Sequence, residues 1–282
     1  MRKTILVVGA RSTLAQVVIP QLAERNNIIT AGRVDCDIYC DITKDVTLPE
    51  GVDVVINFAA SFGGASDEAI LQAVDTNVVG IVRLCMAVKA AKIQHLINIS
   101  SIFALLDESS PGYSSYAITK RQGDELAEFY CNQHNLPITI LRPSRIYGDS
   151  QDFAKHQPFL YHLIENARSG QDIKLYGTHD ASRNYLHAQD LAVIIDEIIS
   201  KKIEGIHDCV YPTNETYSRI AQSAQQVFGK GGDIGFIEEK SDIVDDTFPL
   251  DTSLYEKIDF QPNISIEDGL RRIKKHMEEG SV

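Results

Sequence analysis

Short, nearly continuous apolar runs, each followed by an amphipathic stretch, constrain this chain most. Thr4–Val8 (TILVV) precedes a stretch with helical periodicity at Leu14–Arg25, and Ile28–Ala31 reads as a second strand. Asp53–Phe58 (DVVINF) is followed by a helical pattern over Asp67–Ala91. His95–Ser100 (HLINIS) is followed by another over Ser115–His134, and Pro137–Leu141 reads as a further strand. Strands with no polar face must be covered on both sides, and helices between them do the covering. The expected fold class is therefore α/β, with a doubly wound parallel sheet of Rossmann type. After Pro143 the rhythm changes to shorter, more polar segments punctuated by Gly148, Pro158, Gly170, Gly177 and Pro212. Gly229–Gly235 reads as a loop and Ile266–Met277 as a closing helix. The expected division is a sheet domain over 1–143, rejoined at about 184–200, with a smaller discontinuous region over 144–282 above the sheet's carboxyl edge.

Composition narrows the partners. A net charge of −12 over 282 residues argues against nucleic acid or an anionic membrane, which call for a basic footprint. No apolar run reads as a membrane span, and Met1-Arg2-Lys3 leads straight into a strand, so a cytoplasmic location is expected. Of five cysteines, Cys36, Cys40, Cys85, Cys131 and Cys209, only the first two are close, with no His or Cys partners nearby. Reduced, buried thiols are expected rather than a zinc site, and no metal is anticipated.

Gly9 lies between the first strand and the first helix, in VVGARSTLA. Glycine permits a tight turn there, and the helix start offers amide N–H groups and a positive dipole to a pyrophosphate. The usual three-glycine spacing is incomplete, because Ser12 and Ala15 occupy the later positions. Arg11 sits inside the turn. Arg33 follows the second strand, where an NAD binder usually presents an acidic residue to the ribose. A guanidinium suits the 2′-phosphate of NADP better, so NADP is the expected cofactor with NAD as the alternative.

Tyr116 and Lys120 stand four residues apart in YAITK, on one face of a helix. A nearby ammonium stabilises phenolate, so Lys120 is expected to lower the tyrosine's pKa and fit it for acid–base work. Ser101 ends the strand HLINISS and can hydrogen-bond the same substrate oxygen, with Ser100 beside it offering the same group.

In this order the residues resemble the extended short-chain dehydrogenases/reductases, the NAD-dependent epimerase/dehydratase family acting on nucleotide sugars. The resemblance runs through Gly9, Asp41-Ile42, Asn57-Phe-Ala-Ala60, Asn77, Ser101, Tyr116, Lys120, Leu141–Gly148 (LRPSRIYG) and Arg183–Asp190 (RNYLHAQD). Asp251–Leu270 follows the family's closing pattern. It implies cofactor contacts at Gly9, Arg11, Ser12, Thr13, Leu14, Arg33, Asp41, Ile42, Phe58, Ala59, Ala60, Asn77 and Pro143, besides Tyr116 and Lys120. It also implies substrate contacts at Ser61, Ser101, Arg145 and Arg183, with Arg183 meeting the diphosphate. Asn77 reads as a backbone-organising residue, and His187 as a packed residue or a contact.

The resemblance further implies hydride transfer between nicotinamide and a sugar carbon, with Tyr116 handling the proton. The family's dehydratases carry an acidic residue directly after the catalytic Ser/Thr, whereas Ser101 is followed by Ile102 and Phe103. The Ser101–Tyr116 interval is also shorter than in the common epimerases. The reading is an NADP-dependent 4-ketoreductase of a nucleotide sugar, with an NAD-dependent C4-epimerase as alternative. A non-catalytic cofactor-sensing protein is a third possibility. A homodimer through the helices near Asp67–Ala91 and Ser115–His134 is expected, although the same apolar faces also suit an internal core.

Overall fold

The computed structural model describes residues 2–279, so Met1 of the basic start and residues 280–282 of the expected second region lie outside the described residues. The elements begin with β1 (Thr4–Val8), α1 (Thr13–Ala23), β2 (Asn27–Gly32), β3 (Ile38–Tyr39), β4 (Val54–Asn57) and α2 (Asp67–Val74). A π-helical turn at Asp75–Gly80 leads into α3 (Ile81–Ala90), β5 (His95–Ile99), a 3-10 turn at Ile102–Leu105, α4 (Ser115–Gln133) and β6 (Ile138–Pro143). Then come β7 (Arg145–Tyr147), α5 (Pro158–Ser169), β8 (Ile173–Tyr176), β9 (Ser182–Arg183), β10 (Tyr185–His187) and α6 (Ala188–Lys201). The chain closes with β11 (Gly205–Cys209), β12 (Glu215–Thr216), α7 (Tyr217–Phe228), β13 (Ile234–Ile237), α8 (Ser253–Ile258) and α9 (Ile266–Glu279).

Two compact units divide the chain. The first holds residues up to 143 together with 192–209 and 253–260. Its parallel seven-stranded sheet runs β11-β6-β5-β4-β1-β2-β3, the order of a Rossmann fold. β4 and β5 are buried along their whole length, as expected of strands covered on both faces. Ile81, Leu84, Cys85 and Val88 from α3 join Leu6, Val55, Leu96 and Ile140 from the strands in one core cluster. Where the sequence suggested a return at about 184–200, the chain rejoins at 192–209 and again at 253–260. The reason is β11, which pairs with β6 at the sheet edge from Gly205↔Thr139 to Cys209↔Pro143. Its GIHDC sequence is too polar to read as a buried strand.

The second unit holds 144–191, 210–252 and the described residues from 261 onwards. Three small strand pairs, β7–β10, β8–β13 and β9–β12, accompany the helices α5, α7 and α9. Pro158 opens α5, and Gly170, in the left-handed region at φ 71°, ends it. The loop expected over Gly229–Gly235 is corrected: β13 starts inside it and pairs in parallel with β8. Another correction concerns Asp67–Ala90, a continuous helical stretch long and apolar enough to span a membrane by length and composition. Ala73, Val78, Ile81 and Leu84 of this stretch are buried, whereas Ile70, Leu71 and Met86 are exposed.

All five cysteines are free thiols; four are buried and Cys36 is half-buried. Burial pushes Cys40 up to about 11, with the Asp41 charge adding to the effect.

Candidate active site

Gly9 adopts φ 73°, and a Cβ there would fall 2.6 Å from the Ala59 amide nitrogen. The turn can therefore approach the loop after β4 only with glycine. Ser12 caps α1, its Oγ accepting the Ala15 N–H at 3.2 Å. Gln16 braces the turn from within the helix by donating to the Ala10 carbonyl at 2.6 Å. Thr13 is the first residue of α1 and Leu14 follows it.

Beside this turn lies a cleft of about 330 Å³. Gly9, Arg11, Ser12, Arg33, Asp41, Ile42, Phe58, Ala59, Ala60 and Ser61 line it. The helix start offers amides to a diphosphate, the small residues leave room, and the arginines add positive charge. That donor set fits a dinucleotide. Asp41 is worked upward by burial, yet hydrogen bonds from Thr43 and the nearby charges of Arg33 and Lys44 hold its carboxyl low. Sequence reasoning missed Val8, Gly32, Val34, Cys40, Thr43, Gln72 and Thr76, which also line the cleft. Three of these, Cys40 in a loop, Gln72 in the second half of α2 and Thr76 in the π turn, carried no local signal. Thr13 and Leu14 are not among the lining residues, nor is Pro143, which ends β6.

Asn77 holds the cleft wall from behind. Its Oδ1 accepts the Ser61 N–H at 2.9 Å, and its Nδ2 donates to the Ser61 carbonyl at 2.7 Å and to Thr119 Oγ1 at 3.0 Å. The side chain thus ties the loop after β4 to the helix bearing Tyr116 and Lys120. Gly123 makes the close approach possible, since a Cβ there would run into the Asn77 carbonyl. Ser61, expected at the substrate, lines the dinucleotide cleft and is clamped through its backbone.

Ser101 follows β5 in extended conformation and caps the 3-10 turn, its Oγ accepting the Phe103 N–H at 3.2 Å. Lys120 is buried and donates from Nζ to the Ile99 carbonyl at 3.0 Å. The same Nζ lies 5.8 Å from the centroid of the Tyr116 ring. Phe62 stacks on that ring at 5.3 Å and Phe103 meets it edge-on at 6.5 Å. Neither phenylalanine was anticipated.

The expectation that Lys120 lowers the Tyr116 pKa is corrected. Burial pushes Tyr116 up to about 12, although the Ser101 hydrogen bond favours phenolate; the Asp124 charge adds to the rise. Burial also pulls Lys120 down to about 8, against the Asp124 charge, which holds it up. Desolvation outweighs the pull of the Ser101 hydrogen bond toward phenolate.

In the second unit, Arg145 is ion-paired with Asp246, its Nε donating at 2.8 Å. Arg183 is buried, with Nη1 donating to the Ser182 and Val244 carbonyls at 2.8 and 2.7 Å and its guanidinium 5.0 Å from the Tyr217 ring centroid. Its Nε has no partner among the described residues. Arg145, expected to hold substrate, is thus engaged by a carboxylate 101 residues away, a pairing invisible to local spacing. His187 is packed: Nε2 lies 3.0 Å from Asp149 Oδ1 and Nδ1 accepts the Gln189 N–H.

The profile of the NAD dependent epimerase/dehydratase family matches residues 5–211. The low-salt glycan biosynthesis protein Agl12 of Haloferax volcanii is 27% identical over 283 residues, covering 93% of this chain and 84% of that one. The dTDP-glucose 4,6-dehydratase of Haemophilus influenzae is 25% identical over 292 residues, covering 89% and 83%. Among solved structures, the UDP-glucose 4-epimerase of Thermus thermophilus in complex with NAD superposes with a TM-score of 0.77 at 18% identity, covering 99% of this chain and 100% of that one.

Proposed function

The chain belongs to the NAD dependent epimerase/dehydratase family, and we propose that within it this protein is an NADP-dependent reductase of a 4-keto nucleotide sugar. The observation that carries this reading is Arg11 and Arg33 on the cleft wall, with Gly32 rather than an acidic residue ending β2. A guanidinium pairs with a 2′-phosphate, whereas an acidic residue would accept from a ribose hydroxyl.

When bound, the nicotinamide cofactor supplies the hydride to the carbonyl carbon. Tyr116, held protonated by burial, donates its proton to the oxygen as that oxygen becomes an alkoxide. Ser101 hydrogen-bonds the same oxygen, and Lys120 keeps positive charge beside the phenol as it loses its proton. Arg183, with Nε unpartnered, is the proposed anchor for the substrate's diphosphate. A dehydratase reading has less support, because Ile102 is buried and Phe103 is aromatic where water elimination calls for a carboxylic acid.

A second reading is an NAD-dependent C4-epimerase, supported by the fold's likeness to the NAD-bound Thermus epimerase. The association of Ser101, Tyr116 and Lys120 in one unit speaks against a non-catalytic sensor. We further propose a cytoplasmic location and a homodimer; the exposure of Met86 on α3 and of Leu126 and Phe129 on α4 supports the dimer.

The test is mass spectrometry of the purified protein for retained dinucleotide, then fluorescence titration with NADPH and NADH. Cofactor-free protein that binds NADPH at least about tenfold more tightly supports the reductase. Retained NAD, or tighter NADH binding, transfers the assignment to the epimerase.

A further inference from the structure

One buried charge has no part in the chemistry described so far. Asp124 lies four residues beyond Lys120 and eight beyond Tyr116, so the three form a row along one face of α4. Asp124 is 1% exposed and Lys120 6%. On the far side, Arg142 of β6 donates from Nε to Asp124 Oδ2 at 2.8 Å. Neither Asp124 Oδ1 nor Ser100 Oγ makes a well-formed hydrogen bond among the described residues, yet the Ser100 hydroxyl is near enough to stabilise the carboxylate.

We infer that Asp124 is a positioning residue for the catalytic pair: a buried counter-charge, pinned by Arg142, that keeps Lys120 cationic beneath Tyr116. The inference rests on the reading of Tyr116 and Lys120 as the proton-handling pair.

Three charges share this cluster, Lys120 and Arg142 positive and Asp124 negative, so the cluster carries one net positive charge. Without the carboxylate, a buried lysine and a half-buried arginine would lose the counter-charge they share, and the one able to shed its proton is lysine. Burial draws Lys120 down, and Asp124 is the charge that opposes it. Asp124 itself is pushed up by burial, with Ser100, Arg142 and Lys120 all drawing it back toward ionisation.

The other elements packed against α4 bring no rival charge. The 3-10 turn at Ile102–Leu105 has no ionisable group. Asp75 of the π turn and Asp67 and Glu68 of α2 are exposed. On α3, Arg83 donates to the Thr43 carbonyl and Lys89 lies over the Tyr130 ring. Cys85 and Cys131, with sulfurs 3.8 Å apart, are the remaining buried titratable groups between α3 and α4.

A salt bridge serving only to join α4 to β6 would leave the protonation of Lys120 unchanged, which makes the lysine's own titration the decisive readout. The full chain is labelled with lysine carrying carbon-13 at Cε, and Lys120 is assigned as the resonance missing from Lys120→Met. In the wild type Lys120 is expected to titrate near pH 8. In Asp124→Asn it should titrate at least about one pH unit lower. Asp124→Glu should restore most of the difference. If the asparagine variant does not fold, Arg142→Gln gives the opposite sign, because it leaves Asp124 facing Lys120 alone and raises the lysine's titration. An unshifted Lys120 in folded Asp124→Asn, or in Arg142→Gln, overturns the inference. The readout needs no substrate, so a mistaken substrate assignment would leave it intact.

Discussion

The arginines expected to meet a ligand stand in opposite situations in the two units. Arg11 and Arg33 are exposed at the first unit's cleft and form no ion pair among the described residues. In the second unit Arg145 pairs with Asp246, Arg272 with Asp149, and Arg183 is buried against backbone carbonyls. A charge left in water costs little in folding and stays open to a ligand, whereas an engaged guanidinium is already part of the fold. The same residue type is therefore ligand-ready at Arg11 and Arg33 and structural at Arg145 and Arg272, with Arg183 open only at Nε.

The largest expected effect tests whether the first unit's groups are kept for chemistry. Tyr116→Phe removes the hydroxyl while keeping the ring between Phe62 and Phe103. Single-turnover hydride transfer should fall by about a thousandfold or more, the scale of a lost general acid. NADPH titration should change little. Hydride transfer at the wild-type rate would remove Tyr116 as proton donor and leave the first unit a binding module.

How much of this was readable in the sequence depends on the range of the contact. Apolar runs located the main strands, and one turn or one helix face brought together Gly9 with Ser12 and Tyr116 with Lys120. The edge strand β11 was hidden by His207 and Asp208, and Asp246 lies 101 residues from Arg145. The sign of the Tyr116 shift also escaped, because spacing reports a nearby cation while only the fold reports desolvation. Phe103 follows Ser101 by two residues, yet its place against the tyrosine ring depends on the 3-10 turn.

A middle-sized effect probes the second unit's engaged charges. Asp149 accepts from Arg272 and meets His187; although burial opposes ionisation, these partners bring its carboxyl down to about 2. A carboxyl lowered in the folded state contributes stability above its unfolded value, near 3.8, and loses it as pH falls toward 2. Asp149→Asn should therefore lose roughly 1–3 kcal/mol at neutral pH, read by urea denaturation, and the difference from wild type should vanish toward pH 2. A loss that persists undiminished in acid would mean that packing, not charge, links these three residues.

The smallest effect bears on Arg33, where exposure is the reason for both its availability and its modest worth. A surface guanidinium meeting a phosphate in water contributes on the order of 1–2 kcal/mol. Arg33→Ala should thus weaken NADPH by about 5- to 30-fold and leave NADH nearly unchanged, with no shift in unfolding midpoint. The selectivity matters more than the size. Equal weakening of both cofactors would place Arg33 on a group they share and remove the charge argument for NADP. A fall in thermal stability would show that Arg33 belongs, like Arg145, to the structure itself, and the contrast between the two units would fail at its clearest member.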